Sequence, residues 1–155
     1  MSDVQALLDA EYSFGARPHP IPAELRTERK VALLLLLVSR CHGAGASWKS
    51  LHVLNWAVRS SGNFHALERV RDGELLPDIP IVRIEPALDR AIDLSAGLGY
   101  LERKRSGTFR LLPAGTAVVV AVEAAGALAT ERALLDRMKN KVTQTMVESL
   151  LGGRA

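Results

Sequence analysis

The 155-residue sequence has few of the residues that crosslink a chain or build an aromatic core. It has one cysteine, Cys41, which excludes a disulfide within the chain. Aromatic residues make up 5% of the sequence and apolar residues 48%, so the core is expected to consist of leucine, valine, isoleucine and alanine. This composition is typical of a globular protein and excludes a disulfide scaffold and wholesale disorder.

Long apolar runs are also absent. The longest covers residues 31–38, whereas a membrane-spanning helix needs about 20 apolar residues. The N-terminal residues lack the basic and apolar regions of a signal peptide. The sequence therefore predicts a soluble cytoplasmic protein that makes no membrane contact.

The spacing of apolar residues predicts a mainly α-helical chain with a small β-hairpin, an α+β fold. Residues 31–38 are apolar all round, so their helix is expected at the centre of the domain. On both sides of Gly107 the apolar residues recur with a period of two, as in β-strands, which predicts the hairpin. Helices are predicted at residues 23–42, 48–59 (with Ser47 as N-cap), 64–71 and 85–97, over a region from 113 that bends near Gly126, and in a last amphipathic stretch through Val142, Met146 and Leu150. Short strands are predicted at 81–84, 100–104 and 108–112.

Three parts of the chain are distinguished by composition. Residues 1–22 are predicted to be an N-terminal arm, because three prolines at its end exclude a helix there. Residues 23–125 are predicted to form the core domain. Residues 126–151 are predicted to form a C-terminal helical interaction segment, whose apolar residues either fold back on the first helix or contact a partner.

The segment LDRAIDLSAGLGYLERKRSGTFRLLPAG, residues 88–115, resembles the third helix, the wing and the start of the next helix of winged-helix domains. An apolar-faced helix, a Gly-Leu pair, a charged strand, a glycine turn and a strand ending before Gly115 carry the resemblance. Leu112 and Pro113 stand where threonine and a charged residue are usual. The resemblance implies a winged helix-turn-helix core.

A narrower resemblance covers nearly the whole chain. The leucine-rich first helix, the segment SWKSLHVLNWAVRS at residues 47–60, the helix PALDRAI at 86–92 and the C-terminal helices resemble the middle component of bacterial ABC three-component, Lamassu-like defence systems. This resemblance implies a non-catalytic adaptor bound to a large coiled-coil, SMC-like ABC ATPase and an effector subunit, in antiphage or antiplasmid defence.

The sequence predicts no catalytic site, cofactor, metal site or small-molecule ligand. Residues 43–50 imitate a phosphate-binding loop, but Trp48 occupies the position where a glycine must precede the lysine. Cys41 and His42 are adjacent in a helical region, so their side chains point about 100° apart and do not meet. Cys41 is therefore interpreted as a packed small residue. No histidine pair has the spacing of metal ligands on a helix.

The net charge of +3 is small, so it favours nucleic-acid binding only where basic residues cluster. The predicted hairpin is such a place. Three interpretations fit it: an exposed charged hairpin that resists edge pairing, a contact with the DNA backbone, or a protein-docking element. The candidate DNA-contact residues are Arg103, Lys104, Arg105 and Arg110.

The outward residues of the helix at 85–97 are expected to be Asp89, Arg90, Asp93 and Ala96. Helices that read bases usually offer arginine, lysine, asparagine or glutamine, so this helix is interpreted as a protein-contact surface. The two tryptophans, eight residues apart, are either core residues or interface anchors. The candidate partner-contact residues are Trp48, Trp56, Asp89, Arg90, Asp93, Met138, Met146 and Leu150.

Two functions are compatible with these features. The first is the adaptor subunit of an ATPase complex, which uses the winged helix mainly for protein contact. The second is a homodimeric winged-helix transcription regulator, which would bind a pseudo-palindrome. The scarcity of basic residues on the third helix of the predicted winged-helix core favours the adaptor.

Overall fold

The computed structural model describes residue 22 and residues 26–138 and 141–152. Almost all of the predicted arm, residues 1–22, lies outside the described residues. Within these ranges the chain is mainly helical and includes a small antiparallel sheet. The helices are α1 (Thr27–Ser39), α2 (Trp48–Val58), α3 (Ser61–Arg71), α4 (Pro86–Gly97), α5 (Pro113–Ala124), α6 (Ala129–Met138) and α7 (Gln144–Gly152), and the strands are β1 (Gly45–Ser47), β2 (Leu101–Arg103) and β3 (Thr108–Leu111).

The three strands form one antiparallel sheet in the order β1-β3-β2. The predicted hairpin is confirmed as β2 and β3, with Gly107 in the left-handed region at φ +83°. In the register of β1 with β3, the small Ala46 lies opposite the large Phe109, and both side chains are buried. Strand β1 was not predicted from the sequence, because a three-residue strand is too short to show a period of two.

Helix α1 is the centre of the core, as its apolar run predicted. Its residues 34–38 are completely buried, and the helix packs against α4 and α5. One core cluster surrounds α1 and includes buried residues of the sheet, α2, α4 and α5. Because residues 34–38 are buried on all sides of α1, the helix packs against all of these elements and holds them in one core.

Helix α2 lies between this cluster and a second one. All its residues from 51 to 58 are buried. Leu51, Leu54 and Val58 belong to the first cluster, whereas Val53 and Trp56 belong to the second. The second cluster joins α2 to α3, α6 and α7. The apolar residues of the C-terminal helices therefore fold back on the rest of the chain.

Helices α2 and α3 each begin with a serine N-cap, and a side chain of α3 also bonds to the end of α2. Ser47 Oγ accepts a hydrogen bond from the Ser50 amide at 3.1 Å, which confirms the predicted N-cap. Ser60 Oγ accepts one from the Asn63 amide at 3.1 Å, and the Asn63 side chain donates to the Trp56 carbonyl at 2.8 Å. Helix α3 therefore starts at Ser61, three residues earlier than predicted.

The strand predicted at residues 81–84 is wrong. This segment forms neither helix nor strand and pairs with no strand in the described part of the chain. Its β-branched residues made it resemble a strand, but strand formation also requires a partner. The predicted bend near Gly126 is a complete break, because Gly126 and Leu128 have φ of +67° and +52° between α5 and α6.

Candidate functional site

The hairpin formed by β2 and β3 does not present all four of its cations freely. Lys104 Nζ lies 2.8 Å from Glu102 Oε2, and the Arg103 guanidinium lies 5.7 Å from the centroid of the Phe109 ring. Arg105 and Arg110 are exposed, and neither has an ion-pair partner among the described residues. Among the described residues, Arg105 and Arg110 are therefore the two predicted cations with neither an ion pair nor a ring contact.

The outward face of α4 is more apolar than its sequence suggested. Arg90 and Asp93 are exposed, as expected. Leu94 and Leu98, one helical turn apart, are 41% and 54% exposed. The face therefore combines one cation, one anion and two leucines.

The Asp89 side chain is 42% exposed, and its carboxylate also has partners on α2. Its Oδ1 accepts hydrogen bonds from Trp48 Nε1 at 2.7 Å and from His52 Nε2 at 3.0 Å. The carboxylate therefore connects α4 to the start of α2. Both aspartates of α4 therefore reach solvent, and Asp89 is in addition hydrogen-bonded to α2.

The predicted partner-contact residues divide into two groups. Trp48 is 38% exposed, whereas Trp56 is 6% exposed and lies in the second core cluster. Met138 and Leu150 are buried in the same cluster, and Met146 is half-buried beside it. Because the chain's own helices cover Trp56, Met138 and Leu150, the accessible part of the predicted interface is at α4 and Trp48.

A buried polar cluster, formed by Lys30, Asn55 and Glu85, was not identified from the sequence. Lys30 Nζ lies 3.1 Å from Glu85 Oε1, and Asn55 Nδ2 donates to Glu85 Oε2 at 2.7 Å. Lys30 Nζ also donates to Asn55 Oδ1 at 3.4 Å. Since Glu85 immediately precedes the first residue of α4, the cluster fixes that end of α4 on α1 and α2.

His52 is completely buried beside this cluster, and both its ring nitrogens are engaged. Nδ1 accepts from the Glu85 amide at 3.4 Å, so Nε2 carries the hydrogen that it donates to Asp89. The sequence did contain a signal for these contacts. His52 and Asn55 are the two polar residues within an otherwise apolar run, and buried polar groups require partners.

The carboxylates in these contacts have lowered pKa values. Burial alone would raise the pKa of Glu85, but hydrogen bonds from Asn55 and Lys30 and the charges of Lys30 and Arg59 outweigh it and lower the pKa. Partial burial likewise opposes a low pKa for Asp89, and the hydrogen bonds from His52 and Trp48 outweigh it. Both groups are therefore anionic and bound at neutral pH.

A cavity of about 270 Å³ lies between β1, the start of α2 and helices α6 and α7. Cys41 lines it and donates to the Leu37 carbonyl at 3.3 Å. Burial raises the pKa of the Cys41 thiol to about 11. The thiol is thus protonated at neutral pH and is a weak nucleophile there.

Comparison with protein-family models, curated proteins and solved structures finds no match. Among the described residues, no helix is long and apolar enough to cross a membrane. The same residues contain no group of three or more histidine, cysteine, aspartate or glutamate side chains placed to hold a metal ion.

Proposed function

We propose that this protein is a winged-helix adaptor that acts through protein contact. In this proposal it is a cytoplasmic subunit of a complex built on a large coiled-coil, SMC-like ABC ATPase with an effector subunit, in antiphage or antiplasmid defence. It carries no catalytic site of its own. The resemblance to the middle component of three-component defence systems supplies the identity of the partners.

The order of elements supports the winged-helix assignment. Leaving α3 aside, the order is α1, β1, α2, α4, β2 and β3, and the sheet order is β1-β3-β2. In the proposed winged helix, α4 is the third helix and β2 and β3 form the wing. Helix α3 and residues 72–85 are then an insertion between the second and third helices.

The outward face of α4 is the observation that carries the protein-contact proposal. A helix that reads DNA bases needs side chains that pair with base edges. Here Leu94 and Leu98 stand beside Arg90 and Asp93. Exposed leucines cannot pair with base edges, and Asp93 would be repelled by phosphates. Such a mixed apolar face suits a protein partner.

Co-production with the proteins encoded beside it in the genome tests this proposal. The tagged wild-type chain is expected to retain a large ATPase through affinity purification. The double variant Leu94→Glu/Leu98→Glu is expected to lose it, because two charges would be buried without partners. Val120→Glu is the matched control, since Val120 is 59% exposed on α5. Equal retention by both variants would contradict the assignment of the α4 face.

A homodimeric DNA-binding regulator is the second candidate, and the wing is the observation that favours it. Arg105 and Arg110 are exposed and free of ion pairs within the described residues. Two such cations support contact with the DNA backbone but supply no base recognition.

A further inference from the structure

The chain between α3 and α4 exposes an unusual amount of apolar surface. Leu76, Ile79, Ile81 and Ile84 are between 43% and 67% exposed. They are four of the eight large apolar side chains that are exposed among the described residues. Exposed apolar surface of this extent in one connecting segment points to an interaction site.

The backbone of residues 81–84 is also without partners. No hydrogen bond joins their amide or carbonyl groups to another described residue. Val82 is buried in the second core cluster and anchors the segment, while Ile81 and Arg83 on each side of it are exposed. Side chains 81–83 therefore alternate between exposed and buried, as in a strand, and the segment 81–84 has unused backbone groups.

This segment forms one wall of a groove of about 530 Å³. Trp48 and Lys49 at the start of α2 and Leu151 on α7 form the rest of the lining, with Val82, Arg83 and Ile84. The lining contains two cations and no anion. Neither Lys49 nor Arg83 has an ion-pair partner in the described part of the chain.

We propose that this groove binds an extended acidic and apolar segment of a partner protein, which adds a strand alongside residues 81–84. The added strand would hydrogen-bond to the unused backbone groups of alternate residues in 81–84, as in other cases of strand addition. Its apolar side chains would contact Trp48 and Leu151, and its acidic side chains would pair with Lys49 and Arg83. The proposal does not depend on the α4 face or on an ATPase partner.

Charge and composition disfavour the other occupants of such a groove. A symmetric contact between two copies would bring the same patch against itself, which places Lys49 and Arg83 near their own copies. Nucleic acid would gain contacts with these two cations, but its phosphates would also lie against the apolar side chains of the groove, which is unfavourable.

A phage-displayed library of random peptides, selected on the full chain, tests the proposal without knowledge of the natural partner. Selected peptides are expected to alternate acidic and apolar residues. Arg83→Glu is expected to weaken their binding by about tenfold or more, because attraction becomes repulsion. Arg105→Glu on the wing is the matched control and is expected to leave binding unchanged. Lys49→Glu provides an independent second variant.

Hydrogen exchange separates strand addition from simple charge attraction. Bound peptide is expected to slow amide exchange at alternate residues within 81–84 by about tenfold or more, since the amides that point to the added strand become hydrogen-bonded. Failure to select any peptide, peptides without acidic residues, equal losses in Arg83→Glu and Arg105→Glu, or unchanged exchange would each overturn the proposal. Self-association that Arg83→Glu abolishes would assign the groove to a second copy and would also overturn it.

Discussion

Lys30 Nζ lies 3.1 Å from the Glu85 carboxylate, and both side chains are largely buried. This pair connects the first turn of α1 to the residue that precedes α4. Asn55 on α2 binds the same carboxylate. The position of the α4 surface therefore depends on a polar contact inside the domain as well as on apolar packing.

Glu85→Ala is expected to destabilise the protein by about 3 kcal/mol, because it leaves the Lys30 ammonium buried without its anion. Urea unfolding followed by circular dichroism measures the change. Glu102→Ala is the matched control, since its pair with Lys104 is exposed on the wing. That variant should change the free energy of unfolding by less than about 1 kcal/mol. Equal effects would show that the buried pair has no special role.

Acid should lower the free energy of unfolding by protonating Glu85 and Asp89. The pKa values of Glu85 and Asp89 are lower in the folded chain than the ordinary values of 4.5 and 3.8. Their contribution is therefore complete above the ordinary values and is lost as pH falls through the lower folded values. Unfolding by urea between pH 6 and pH 2.5 measures this loss.

Replacing these two carboxylates provides the test of that pH dependence. In the double variant Glu85→Gln/Asp89→Asn, the free energy of unfolding is expected to fall less steeply than in the wild type as the pH drops below about 4.5. Asp93→Asn is the control, because Asp93 is exposed on the same helix. If the free energy of unfolding depends on pH in the double variant as it does in the wild type, other groups cause the loss of stability in acid.

Gly115 lies where α5 approaches the chain just before β2. A Cβ atom on Gly115 would lie 2.2 Å from the Tyr100 carbonyl oxygen, so Gly115→Ala is expected to destabilise the protein by about 2 kcal/mol. Gly97→Ala is the control, because nothing lies within 4 Å of its added Cβ. It should be neutral or stabilise by about 0.5 kcal/mol. Thermal unfolding of both variants compares them, and a neutral Gly115→Ala would contradict this packing.

The wing should bind DNA weakly and without sequence preference. Two free cations predict binding that appears at low salt and is equal for unrelated duplexes. Arg105→Glu with Arg110→Glu should abolish it, whereas Arg90→Glu on α4 should have a smaller effect. Fluorescence anisotropy at several salt concentrations measures these affinities. Strong preference for one sequence would instead support the transcription regulator.

Local signals were enough to predict most helices and the hairpin. Ser47 as an N-cap and Gly107 in the turn each act on neighbouring residues, so the sequence shows them directly. Long-range contacts were not predictable in the same way. Strand β1 exists because it pairs with β3 more than 60 residues away, and residues 81–84 lack such a partner. The hydrogen bonds of Asp89 with Trp48 and His52 were not predictable either, because both partners lie on another helix.

Native mass spectrometry of the chain co-produced with its genomic neighbours is the decisive test of the proposed adaptor function. We expect a complex in which this chain and a large coiled-coil ATPase are present in a fixed ratio, and we expect Leu94→Glu/Leu98→Glu to release the chain. A homodimer that binds no other protein and keeps the same mass in that variant would contradict the adaptor function.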